Sequence, residues 1–295
     1  MKTSLAAPCG GNADAYARKK RTTMNASDTI RVAGTSLHVD DTGEESLEPV
    51  VCLHSLFVDN RMFDGFVEAA RGTFRLIRPD FRGQGRSAPA DRDVVTMEQC
   101  AGDIAALLDE LGVSRAHLLV SSMGGDVGAR LAAYRPDLVR SMVFLGSSVR
   151  SEPADKLDAY MAWADDVTAN GFKDERLDFV VQVMFGASTR ASDAMKDTVA
   201  LWTDRLAGLT SSLKPAMAGV ILRGDGTRLL PDVQVPALVI SGEECPVRPP
   251  EWARELADGL PASALQMLPA VGHSPLLERP DLVIPRVLDF FRTQR

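Results

Sequence analysis

The sequence predicts an α/β protein built on a mostly parallel, eight-stranded sheet flanked by helices, with one helical insertion. Three observations predict it. Eight short apolar runs recur from Thr29 onward, and most alternate with segments whose apolar residues repeat every 3.6 positions. The runs are about four to five residues long and nearly continuous in apolar character, as suits strands buried on both faces. The composition is ordinary for a globular protein, with 45% hydrophobic and 25% charged residues, and 295 residues are enough to bury a core without disulfides or metals.

Residues 1–27 stand apart. They are rich in Ala, Gly, Thr and Asn and carry a basic knot at Arg18, Lys19, Lys20 and Arg21. They lack the apolar stretch of ~7 to 15 residues that a signal peptide needs. Leu5-Ala6-Ala7-Pro8-Cys9 is faintly similar to a lipoprotein cleavage site, but Pro8 directly before the cysteine speaks against it. The segment reads as a flexible tail, with Met24 as an alternative start.

Ile30–Val32 and Ser36–Val39 then form a hairpin around Ala33-Gly34-Thr35. Val50–Leu53, Phe74–Ile77, Leu118–Ser121, Met142–Leu145, Ala237–Ile240 and Ala264–Leu268 supply the remaining strands. The clearest helix carries Met97, Cys100, Ile104, Leu107, Leu108 and Leu111 on one face. Others begin just after Ser122 towards Tyr134, and cover Pro250 to Leu260 and Pro280 to Phe291. From residue 151 to about 231 the alternation stops. This stretch has helical periodicity, holds Trp163, Phe172, Phe179, Met184, Phe185 and Trp202, and offers no convincing strand. It reads as a helical cap inserted into a core formed by residues 28–150 and 232–295.

Charge and cysteine usage exclude several functions. The net charge is 33 − 40 = −7, which argues against nucleic acid or an anionic membrane as partner. No apolar run approaches the ~18 to 20 residues of a spanning helix. Cys9, Cys52, Cys100 and Cys245 form no CxxC pair, so neither a zinc site nor a disulfide framework is expected. A soluble, cytoplasmic protein without metal or cofactor fits these counts, and a homodimer stays open.

The chemistry concentrates in a few segments. Leu118-Leu119-Val120-Ser121-Ser122-Met123-Gly124-Gly125 runs from strand to helix with no loop between. Such a turn strains its central residue and lifts that side chain out of the sheet edge, and it needs small neighbours where helix and strand come close. The pattern is G-x-S-x-G with Val120 in place of the first glycine. Upstream, Val51-Cys52-Leu53 ends in His54-Ser55-Leu56, and Asp80-Phe81-Arg82-Gly83-Gln84-Gly85-Arg86-Ser87 follows the next strand. Downstream, Val271-Gly272-His273-Ser274-Pro275 follows the last strand, ahead of Glu278-Arg279-Pro280.

With these segments in this order, the chain resembles the α/β-hydrolase superfamily from Thr29 to Arg295. In local texture it is similar to the 3-oxoadipate enol-lactonases and related serine hydrolases of small carboxylic esters. The cues are the leucine after His54-Ser55, the run Arg75-Leu76-Ile77-Arg78-Pro79-Asp80, and the Ser-Met-Gly-Gly turn. The resemblance implies that Ser122 is the nucleophile and His273 the base that activates it. It also implies an oxyanion hole made by the backbone N–H groups of Leu56 and Met123. His54 is expected to support its loop, and His38 and His117 to be structural or exposed.

One position departs from the pattern. In this fold the triad acid follows the strand matching Ala237–Ile240, as G-x-x-D with a proline four residues later. Here Gly242-Glu243-Glu244-Cys245-Pro246-Val247-Arg248-Pro249 puts Cys245 there. A neutral thiol cannot stabilise an imidazolium as a carboxylate does, and losing that carboxylate can cost ~10⁴ in kcat. Three readings compete. A nearby carboxylate substitutes, with Glu244 ahead of Glu243, Asp126 and Glu152; or Ser122 and His273 work as a dyad on an activated ester or enol-lactone; or the pocket binds without turnover. A Cys245 thiolate beside protonated His273 is a further arrangement, but a protonated His273 could not act as base.

The expected activity is hydrolysis of a small ester or lactone through an acyl-Ser122 intermediate. Cleavage of a carbon–carbon bond beside a carbonyl is the alternative reaction, and a ligand-binding or signalling role the alternative class. Phe57, Trp163 and Trp202 are the expected substrate contacts, although the tryptophans and Phe179 could equally form the insertion's own core. If the substrate bears a carboxylate, Arg190, Arg205 and Arg223 are available to meet it, whereas Arg82 belongs to the loop motif.

Overall fold

The strands of the computed structural model are β1 (Ala26–Val32), β2 (Thr35–Asp41), β3 (Pro49–Leu53), β4 (Arg75–Pro79), β5 (Ala116–Ser121), β6 (Val139–Leu145), β7 (Ala237–Gly242) and β8 (Ser263–Leu268). The structure describes residues 26–32 and 34–294. The tail expected over residues 1–27 lies outside them, except that Ala26 and Ser27 pair with Asp41 and Asp40 in the first hairpin. The fold therefore begins slightly earlier than the composition suggests.

The sheet order is β1-β2-β4-β3-β5-β6-β7-β8. β1–β2 and β2–β4 are antiparallel, and every other pair is parallel. All eight expected strands are present. The central ones are buried along their whole length, as their continuous apolar runs require. β8 departs from that expectation: Ser263, Ala264 and Leu265 are exposed. It is an edge strand with a neighbour on one side only, and its apolar run was too short to reveal this.

The helices are α1 (Asp64–Ala70), α2 (Met97–Glu110), α3 (Met123–Tyr134), α4 (Leu157–Asn170), α5 (Asp174–Met184), α6 (Ala187–Arg190), α7 (Lys196–Ala207), α8 (Lys214–Ile221), α9 (Pro250–Gly259), α10 (Pro275–Glu278) and α11 (Pro280–Thr293). α2 starts where the Thr96 hydroxyl accepts the Gln99 N–H at 3.1 Å, and it buries Met97, Cys100, Ile104, Leu107 and Leu108. α4 to α8 all lie between β6 and β7, and no strand interrupts them. No helix among the described residues is long and apolar enough to cross a membrane.

Register places the chemistry. Leu53 sits opposite Val120, Ser121 opposite Leu145, Leu145 opposite Ile240, and Gly242 opposite Leu268. The carboxyl ends of β3, β5, β7 and β8 thus lie along one sheet edge. The loops that follow them, holding Leu56, Ser122, Cys245 and His273, gather there.

Candidate active site

Ser122 links β5 directly to α3 with φ 49° and ψ −110°, in the left-handed region that a β-substituted residue enters only under constraint. The constraint is visible on both sides. The Ser122 N–H donates to the Leu145 carbonyl at 3.0 Å. A Cβ at Gly124 would lie 2.2 Å from the Leu53 carbonyl oxygen, so any side chain there would push the helix off the sheet. The Val120 departure is absorbed from the helix: a Cβ at Gly128 would come within 3.0 Å of Val120 Cγ1, and glycine leaves that space to the valine.

His273 lies on the loop between β8 and α10. Its Nε2 is 2.8 Å from Ser122 Oγ, and its Nδ1 is 3.2 Å from Cys245 Sγ. All three side chains are buried. The loop is pinned by Glu278, which the sequence marked only as the start of a helix. Its carboxylate accepts the N–H groups of Gly272 and Ser274, one on each side of His273, both at 2.9 Å. The same carboxylate takes the Gly186 N–H at 2.9 Å and the Thr189 hydroxyl at 2.6 Å, which ties the α5–α6 turn to the histidine loop. The available signal was its place as the sole acidic residue between Ala270 and Pro280.

Cys245 occupies a position prepared for an acceptor. The Arg248 backbone N–H donates to its sulfur at 3.2 Å, and the Val247 N–H also favours negative charge there. Burial prevails over both and pushes the thiol up to about 11. Burial, reinforced by the Arg248 cation, pushes His273 down to about 3. Thiol and imidazole are therefore both uncharged at neutral pH.

None of the four carboxylates weighed as a substitute acid meets His273. Glu244 accepts the Ser188 N–H at 2.8 Å and the Ser188 hydroxyl, which hold its carboxyl below the usual range. Glu152 is paired with Arg223 at 2.8 Å and Arg248 at 3.0 Å. Asp126 is paired with Arg130 and, at 2.9 Å, with Arg223. Glu243 is exposed. The reading in which Glu244 replaces the acid is thereby corrected: its extra methylene carries the carboxylate to α6, not to the imidazole.

A cavity of about 690 Å³ opens over Ser122 and His273, walled by Leu56 and Phe57 on one side and by the α4–α8 segment on the other. Phe57 packs edge-on against Trp163 at 6.1 Å, and Trp163 against Phe179 at 5.0 Å, so these rings line the space. Trp202 does not: it is buried under Arg205 and faces a different cavity. Of the arginines considered, Arg190 reaches the Ser122 cavity and Arg205 and Arg223 do not; Arg248, which was not considered, lines it. Met123 is the first residue of α3, so its N–H has no acceptor within the helix. His54 Nε2 accepts the Phe81 N–H at 3.0 Å, which leaves Nδ1 to donate to the Ser55 carbonyl at 2.8 Å, a loop-supporting role. His117 is buried 2.8 Å from the Ser141 hydroxyl, and His38 is buried 3.1 Å from Asp40. Among the described residues no three His, Cys, Asp or Glu side chains cluster as a metal site requires.

Known proteins share this fold. The family model for the alpha/beta hydrolase fold matches residues 48–280. A thermophilic esterase from Thermogutta terrifontis superimposes with a TM-score of 0.81 at 26% identity, covering 92% of this chain and 99% of that one. The enol-lactonase from Burkholderia xenovorans LB400 gives 0.80 at 27% identity, covering 90% and 100%. A 2-hydroxy-6-oxononadienedioate/2-hydroxy-6-oxononatrienedioate hydrolase of a Pseudomonas species is 26% identical over 273 residues, 86% of this chain and 91% of that protein.

Proposed function

We propose, from the premise that this chain belongs to the α/β-hydrolase fold family, that it is a serine hydrolase of small carboxylic esters or lactones that works without a triad carboxylate. The observation that carries the proposal is the line Ser122 Oγ–His273 Nε2–His273 Nδ1–Cys245 Sγ, with steps of 2.8 and 3.2 Å at the ends of the imidazole. The likeness to an esterase and an enol-lactonase supports the substrate class.

The chemistry follows from proton positions. With Nδ1–H donating to the Cys245 sulfur, Nε2 presents its lone pair to the Ser122 hydroxyl and takes that proton as Oγ attacks the carbonyl carbon. The tetrahedral oxyanion is received by the N–H groups of Leu56 and Met123, the second at the positive end of α3. The intermediate collapses, the C–O bond breaks, and the imidazolium returns its proton to the leaving alkoxide. Water then attacks acyl-Ser122 by the same route and releases the acid; from a lactone the product is one hydroxy acid. Cys245 orients the ring but cannot offset the imidazolium charge, so good leaving groups such as enolates are favoured. The helices over the cavity act as a cap that presents Phe57, Trp163 and Phe179 to the acyl or ring portion.

A fluorophosphonate probe and a panel of short p-nitrophenyl esters and enol-lactones test the reading. Labelling at Ser122 and turnover that Ser122→Ala abolishes are expected. Absence of labelling, with any turnover unchanged in Ser122→Ala, would sink it. The relative named for 2-hydroxy-6-oxononadienedioate keeps a second reading open, carbon–carbon cleavage beside a carbonyl. That reading gains if Ser122 labels while every ester and lactone is refused.

A further inference from the structure

Behind the proposed oxyanion residues lies a second cavity of about 370 Å³ that the hydrolase reading does not use. Phe57 forms a wall common to both cavities. Gln84 forms another wall, and its amide Nε2 touches Met123 Sδ at 3.4 Å. The cavity thus meets Phe57 directly and Met123 through Gln84.

Its charged lining is not self-satisfied. Arg61 is held by both carboxylate oxygens of Asp59, and Arg86 is paired with Asp40 at 2.7 Å. Arg205 is different. Its guanidinium lies over the Trp202 ring, 4.5 Å from the centroid, and among the described residues no carboxylate makes an ion pair with it. Burial, reinforced by the neighbouring Arg61 charge, depresses its pKa, while the more distant carboxylates of Asp59 and Asp64 oppose that shift without bonding to it. Stacking fixes the plane of the guanidinium while leaving its N–H fork free for a planar, bidentate acceptor. Gln84 is the second unsatisfied group. It is 4% exposed, and its Oε1 is buried without a hydrogen-bond partner. A buried amide oxygen in that state asks for a donor. The hydroxyls of Thr210 and Ser212, which bond to each other at 2.8 Å, line the same cavity.

We propose that this cavity is a binding site for a small hydroxycarboxylate, with the carboxylate on the Arg205 fork and the hydroxyl among the Gln84, Thr210 and Ser212 side chains that share the lining. A single free cation matches one carboxylate. A phosphate dianion would need a second, and Arg61 and Arg86 are already engaged with Asp59 and Asp40. The occupant has the chemistry of the acid that a lactone hydrolase releases, so a bound hydroxy acid would press on Phe57 and Gln84 from behind the catalytic cavity.

Calorimetric titration of Ser122→Ala protein with lactate, propionate and inorganic phosphate tests the site independently of turnover. Saturable lactate binding is expected, weaker for propionate and weaker again for phosphate. Arg205→Gln should weaken lactate by ~10-fold or more, whereas Arg190→Gln, on the catalytic cavity, should leave it unchanged. If Arg205→Gln does not fold, Arg205→Lys keeps the charge but not the fork and should show the same loss. No saturable binding overturns the proposal; so does phosphate binding as tight as lactate, or a loss in Arg190→Gln with none at Arg205. A failed hydrolase reading shows instead in the Ser122 labelling, which this titration does not touch.

Discussion

At the scale of single residues, Cys245 decides what kind of hydrolase this chain can be. The backbone around it still offers N–H donors from Val247 and Arg248, a setting that would favour a carboxylate, yet the residue supplied is a buried thiol. Burial, reinforced by the Arg248 cation, holds His273 down to about 3, with no anion beside Nδ1 to oppose it. A base with so low a pKa stays unprotonated through the acidic range, so the kcat/KM profile of the wild-type protein should hold level from neutrality to about pH 4 and fall only as His273 protonates. Cys245→Asp should raise kcat on p-nitrophenyl esters by ~10² or more, within the ~10⁴ that a triad carboxylate can supply. Because the new carboxylate favours imidazolium, the same change should move the acidic limb upward towards neutral pH. A variant with unchanged kcat and an unmoved limb would show that the acid position is no longer coupled to the base.

At the scale of elements, the site depends on turns held from outside themselves. The short helix α10 ends in Glu278, whose carboxylate accepts N–H groups on both sides of His273 and two donors from the α5–α6 turn. One side chain therefore holds the His273 loop to the segment that roofs the cavity. Glu278→Gln keeps the volume but replaces one acceptor oxygen by a donor facing N–H groups. It should lower kcat by ~10-fold or more, with KM changed less, and reduce stability by about 1–3 kcal/mol in urea unfolding. Equal kcat in the variant would make the loop self-supporting. The strand-to-helix turn at Ser122 could be read in the sequence because Gly124 and the absent loop leave few conformations. The compensation of Val120 by Gly128 could not, because those residues meet only once α3 lies back on β5.

At the scale of the whole molecule, a chain of charges, exposed at Glu98 and largely buried beyond it, joins the core to the inserted helices. Glu98, Arg130, Asp126, Arg223, Glu152 and Arg248 follow one another from α2 through α3 and the end of α8 to the loop that carries Cys245. Alternating signs leave few of these charges uncompensated, but each relies on its neighbours. Arg223→Met removes one link, leaving Asp126 to Arg130 and Glu152 to Arg248, and should destabilise the protein by about 1–3 kcal/mol in urea unfolding. A loss below about 1 kcal/mol would mean that water replaces the guanidinium. The sequence by itself determined the eight strands and the strand-to-helix turn at Ser122, because these follow from local periodicity and turn chemistry, whereas the histidine loop and the thiol at the acid position were legible through the resemblance to the hydrolase family. Tertiary structure alone decided that Glu244 turns to Ser188, that Glu278 holds the base loop, that Trp202 faces the second cavity and that β8 is an edge. Those outcomes depend on which side chains meet across separate elements and on which charges are buried together, and neither is encoded in the spacing of a single segment.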